Sequence, residues 1–104
     1  GELYPCHQFV GNKDYLMGDI WQGVNRTDTR DKFKRCNAYS RKECDDCWAR
    51  LYCSGGCAAN AYNATGDING VYSYGCELFK KRIESAIALQ IGASLSTDSH
   101  TSCD

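Results

Sequence analysis

Residues 43–57 read ECDDCWARLYCSGGC, which places Cys44, Cys47, Cys53 and Cys57 within fourteen positions of one another. Between them lie two acidic residues, the bulky run from Trp48 to Tyr52, and a Ser54-Gly55-Gly56 turn. Paired glycines tolerate backbone conformations that a Cβ disfavours, so this segment is suited to folding tightly around something the thiols hold. The residues alone leave three readings open. Disulfides are disfavoured because Cys44 and Cys47 enclose only two residues, an awkward loop to bridge. A structural zinc site usually joins two C-x2-C hooks across a longer loop, whereas this segment has one hook followed by gaps of five and three residues. An iron–sulfur cube takes four thiolates, commonly several from a compact loop and one from a distance. Cys44, Cys47 and Cys53 with a remote Cys76 suit that arrangement.

The whole chain has 104 residues, room for one small domain with a thin core. Its eight cysteines make a covalent or metal staple the expected supplement to that core. A net charge of −1 gives no electrostatic case for a nucleic-acid partner. No apolar run approaches the ~20 residues that span a bilayer. The first residues, Gly-Glu-Leu-Tyr-Pro-Cys, lack a basic start and an apolar stretch, so no signal peptide is read there. A reducing cytoplasm follows as the expected compartment, where clustered thiols more often bind metal than pair. The sequons at Asn25 and Asn63 are short patterns with little weight against this. With no initiating Met, the chain reads as a piece of something longer.

Along the chain, Glu2-Leu3-Tyr4 and the stretch from Tyr15 to Trp21 read as two strands of a hairpin, with turn chemistry at Gly11 to Asp14. Asn25 to Asp28 offer capping oxygens before a helix at Thr29 to Arg35. A short helix is expected from Cys57 to Tyr62, then a glycine-broken loop. Phe79, Ile83, Ala86, Ile87 and Ile91 repeat at helical spacing and predict an amphipathic helix from Cys76 to Ile91. From Gly92 the composition turns polar and reads as a disordered tail, residues 92–104. The fold class expected is α+β: small, cluster-organised, mostly helical and irregular, with an N-terminal β-hairpin and a C-terminal amphipathic helix.

The run Cys44-x2-Cys47-x5-Cys53-x3-Cys57, followed by Cys76 after 18 residues and preceded by a Gly-x4-Cys element at Gly1 to Cys6, resembles the cysteine signature of SPASM domains. These are C-terminal extensions of radical SAM enzymes that modify ribosomally made peptides. The wording of YPCHQFVGNKDYLMGDIWQG, CDDCWARLYCSGGC and GDINGVYSYGCELFKKRIESAIALQ is similar to the maturases of SCIFF peptides, which form thioether links from a Cys sulfur to an α-carbon. The resemblance covers residues 1 to about 91 and implies two auxiliary [4Fe–4S] clusters. It assigns Cys44, Cys47, Cys53 and Cys76 to an outer cluster, and Cys6 and Cys57 to an inner one whose remaining ligand would precede Gly1. It implies as partners an upstream SAM-binding barrel and a Cys-rich precursor peptide.

No catalytic residue is assigned, because the C-x3-C-x2-C motif that holds the SAM cluster in such enzymes is absent. A fragment of this kind is expected to be inactive alone. A ferredoxin-like electron carrier and a structural zinc module are the alternatives. Cys36 and Cys103 fall outside the signature and read as a thiol of the domain body and a bystander. His7 reads as a hydrogen-bonded residue near a strand end. Trp48 and Tyr52 are expected to shield a cluster, and the Gly55 and Gly56 amides to bond its sulfurs. Asp45 and Asp46 read as solvated.

Overall fold

A computed structural model describes the backbone of residues 1–101 and the side chains of residues 1–97. Cys103 lies outside the described residues. Two compact units are present, Gly1–Tyr72 and a second beginning at Ser73. That boundary falls inside the 1–91 segment read from sequence as one domain.

The first unit is a mixed α+β body. Its sheet is three-stranded and antiparallel, in the order β1 (Glu2–Leu3), β2 (Gly18–Asp19), β3 (Gly23–Val24). Leu3 sits opposite Gly18, and Gly18 opposite Val24. The expected Tyr15 to Trp21 strand is cut to two residues, because Lys13–Tyr15 coils into a 3-10 turn with Asn12 accepting from the Asp14 N–H. Gly18 explains why the third strand can join. A Cβ there would lie 2.0 Å from the Gly23 carbonyl oxygen, so only glycine permits this approach. Met17 binds the sheet on both sides, donating to the Leu3 carbonyl and accepting from the Asn25 N–H.

Helix α1 spans Thr27–Lys34, starting two residues before the expected Thr29. The expected side-chain cap is not made: Arg26 holds the N-cap position without a side-chain bond, and the Asn25 N–H is spent on Met17. Asp28 in the first turn and Lys32 and Lys34 in the last complement the helix dipole instead. Helix α2 is one turn, Arg50–Cys53. Helix α3 runs Ala58–Thr65, past the expected end at Tyr62, and stops at Gly66, whose left-handed backbone donates its N–H to the Tyr62 carbonyl at 2.7 Å.

The core is small and aromatic. Phe9, Ala59 and Ile68 are buried, with Tyr4, Tyr15, Phe33 and Tyr62 packed around them. Phe9 meets Phe33 edge-on at 5.3 Å between ring centroids, and Tyr15 meets Tyr62 edge-on at 5.1 Å. Such pairs add about 0.5–1.5 kcal/mol each beyond area burial.

The second unit is helix α4, Ser73–Thr101. It begins before the expected Cys76 and continues through Gly92 to Thr101, where composition had suggested a disordered tail. Past Gly92, Ala93 and Leu95 favour the helix, and the Ser94, Ser96 and Thr97 hydroxyls donate to the carbonyls four residues back. Ion pairs Lys80–Glu77 and Lys81–Glu84, each three residues apart, support it. Its amphipathy is weak over the full length, since the exposed Leu78 and Leu89 lie off the predicted stripe.

Candidate metal centre

The cysteine-rich segment is built from consecutive tight turns. Lys42–Cys44 is a 3-10 turn, the Cys47 N–H reaches back to the Cys44 carbonyl at 3.2 Å, and α2 places Cys53 at its last position. The chain then reverses through Ser54 at φ 59° and Gly55 at φ 100° to bring Cys57 to the start of α3. Cys44, Cys47 and Cys53 are half-buried and Cys6 and Cys57 are exposed. None of Cys6, Cys47, Cys53 and Cys57 is spent in a disulfide.

The thiols match a cluster in type and number. They are not gathered in advance: among the described residues, no three or more His, Cys, Asp or Glu side chains come together as a metal ion would require. Cys44, Cys47, Cys53, Cys6 and Cys57 belong to the first unit, while Cys76 is carried by α4.

Most of the other residues singled out around the segment are exposed. Trp48 and Tyr52 are 54% and 71% exposed and sit beside the thiols of this segment. The Gly56 N–H donates to the Cys53 carbonyl at 3.4 Å. Asp45 and Asp46 are exposed, in keeping with solvated carboxylates. His7 is also exposed and opens a 3-10 turn rather than ending a strand.

Sequence reasoning missed Arg41. It is 1% exposed, yet no carboxylate pairs with it among the described residues. Its Nε donates to the Gly70 carbonyl at 3.0 Å, and its Nη2 to the Ile68 carbonyl at 2.9 Å and to Cys36 Sγ at 3.2 Å. The Cys36 thiol in turn donates to the Ile68 carbonyl at 3.1 Å. On its other side the guanidinium abuts Gly55, where a Cβ would lie 2.4 Å from Nη1. One buried side chain therefore ties the cysteine turn to the Ile68–Gly70 loop. The signal available in sequence was slight, because buried arginines are rare and these partners are backbone carbonyls.

A scan against protein-family models finds no match, and a search of curated proteins finds none. No described helix is long and apolar enough to cross a membrane.

Proposed function

We propose that this chain is an auxiliary [4Fe–4S] domain of a cytoplasmic radical SAM peptide maturase of the thioether-forming kind. The observation that carries the reading is the spacing of Cys44, Cys47, Cys53, Cys57 and Cys76 together with the Gly-x4-Cys element ending at Cys6. Cys44, Cys47, Cys53 and Cys76 would hold an outer cluster, and Cys6 and Cys57 would contribute to an inner one. When bound, such clusters supply iron that accepts an electron or binds a substrate thiol.

The chain's own residues prepare for this role. The Ser54–Gly56 reversal separates Cys53 from Cys57 so that each can serve a different cluster. The thiols are accessible enough for metal delivery. Trp48, Leu51 and Tyr52 expose large apolar surfaces beside them. Surfaces of this kind favour burial against another body. In this reading the other body is the SAM-binding barrel or the Cys-rich precursor peptide. In so small a domain, cluster binding would be coupled to local folding.

Anaerobic reconstitution of the chain with iron and sulfide tests the proposal. Brown charge-transfer absorbance with matched iron and sulfide supports it. Tight zinc binding with no sulfide uptake overturns it in favour of a structural zinc module.

A further inference from the structure

A cleft of about 340 Å³ opens in the Gly1–Tyr72 unit, and no cysteine lines it. That volume is at the small end of the range for ligand sites. Its inner wall is formed by Tyr15, Thr29 and Ile68, and Asp14 and Asp67 flank it as exposed carboxylates. Thr29 is 3% exposed, and its hydroxyl has no hydrogen-bond partner among the described residues. Among the described residues no side-chain oxygen sealed from solvent is left unsatisfied, so this hydroxyl opens to the cleft that Thr29 lines. A hydroxyl placed there is free to bond water or a ligand that enters the cleft.

Neither Asp14 nor Asp67 forms an ion pair among the described residues, and neither does Lys32, the cation in the lining. Both carboxylates act on the same ring: they raise the Tyr15 pKa, after burial and the Tyr62 hydroxyl as larger causes. The cleft thus combines two carboxylates that form no ion pair, one of them (Asp67) accepting the Asn69 N–H, with the Lys32 ammonium, a hydroxyl oxygen open to the cleft, and apolar walls from Ile68 and the Tyr15 ring.

We propose that this cleft binds a primary ammonium on an aliphatic stem, a lysine side chain presented by a peptide. An ammonium brings three donors and no acceptor, which matches two carboxylates and a hydroxyl oxygen. A four-carbon stem can lie along Ile68 and Tyr15 while the head is bonded. Such a site uses no metal and is independent of any cluster.

Titration of the full chain with N-acetyl-lysine N-methylamide, followed by 15N NMR, is the test. Saturable shifts are expected at the amides of residues 66–69 and of Thr29. They should vanish when the probe's ε-amine is acetylated, and no such shifts should arise with N-acetyl-glutamate N-methylamide. Asp14→Asn with Asp67→Asn keeps the side-chain shapes and should weaken binding about tenfold or more, the loss expected for charged hydrogen bonds. Lys32→Gln should strengthen binding by removing a competing cation, a gain that a merely structural role would not produce. Equal shifts with the acetylated or acidic probe, no saturable shift, or weaker binding in the Lys32 variant would each overturn the assignment.

Discussion

Arg41 Nη2 donates to Cys36 Sγ at 3.2 Å from a guanidinium that is almost wholly buried. Burying a cation without a counter-ion is costly, so its donors must all be used well. Here two carbonyls and a thiol take the Nε and Nη2 donors, which makes Arg41 a clamp between the cysteine turn and the Ile68–Gly70 loop. It also engages Cys36 within the domain body, apart from the thiols that remain accessible.

Arg41→Met should destabilise the domain by about 1–3 kcal/mol through the buried bond it removes at Ile68 and the part-buried Gly70 carbonyl it orphans, with further loss at Cys36. Arg41→Lys should recover little, since a lysine cannot reproduce the planar fork that reaches two carbonyls and a sulfur. Urea denaturation of the three proteins measures this. Equal midpoints would show that the clamp contributes nothing.

Gly55 and Gly56 provide an internal comparison. Both have positive φ, but a Cβ at Gly55 would meet Arg41 Nη1 at 2.4 Å and the Ala38 nitrogen at 2.8 Å, whereas at Gly56 it meets nothing within 4 Å. Gly56→Ala should therefore cost only the conformational penalty, about 1–2 kcal/mol. Gly55→Ala adds overpacking and should cost about 2–4 kcal/mol. Melting temperatures of the two variants should fall in that order.

Tyr15 supplies a pH signature. Burial raises its pKa first, with Tyr62, Asp67 and Asp14 adding to the rise. A phenol raised in the folded state holds its proton longer than in the unfolded chain. Its contribution is fully present below the ordinary tyrosine pKa of about 10 and is lost as pH rises through the higher folded value. Tyr15→Phe should leave stability near neutral pH within about 1 kcal/mol and flatten its decline in alkali. A decline as steep as in the parent protein would assign the alkaline loss to other groups.

What sequence made legible was local. Helices α1, α3 and α4 were each anticipated from periodicity or composition, though their ends moved by up to ten residues because Gly92 did not stop α4. The sheet was legible only in part: two-residue strands carry no alternation, and β3 joins through the absence of a Cβ at Gly18. The aromatic core draws Phe9, Tyr15, Phe33 and Tyr62 from four separate segments, so no local pattern announces it. Cysteine spacing was fully legible as a pattern. Which thiol is already engaged was not, because the Arg41 contact to Cys36 depends on tertiary structure.

The central claim is that Cys44, Cys47, Cys53 and Cys76 ligate one cluster while Cys36 does not. Iron and sulfide per chain after anaerobic reconstitution, compared between Cys47→Ala and Cys36→Ala, tests it most directly. The account predicts about four irons with matching sulfide for the parent chain and for Cys36→Ala, and loss of that cluster in Cys47→Ala. Undiminished iron in Cys47→Ala, or its loss in Cys36→Ala while the fold persists, would contradict the ligand assignment.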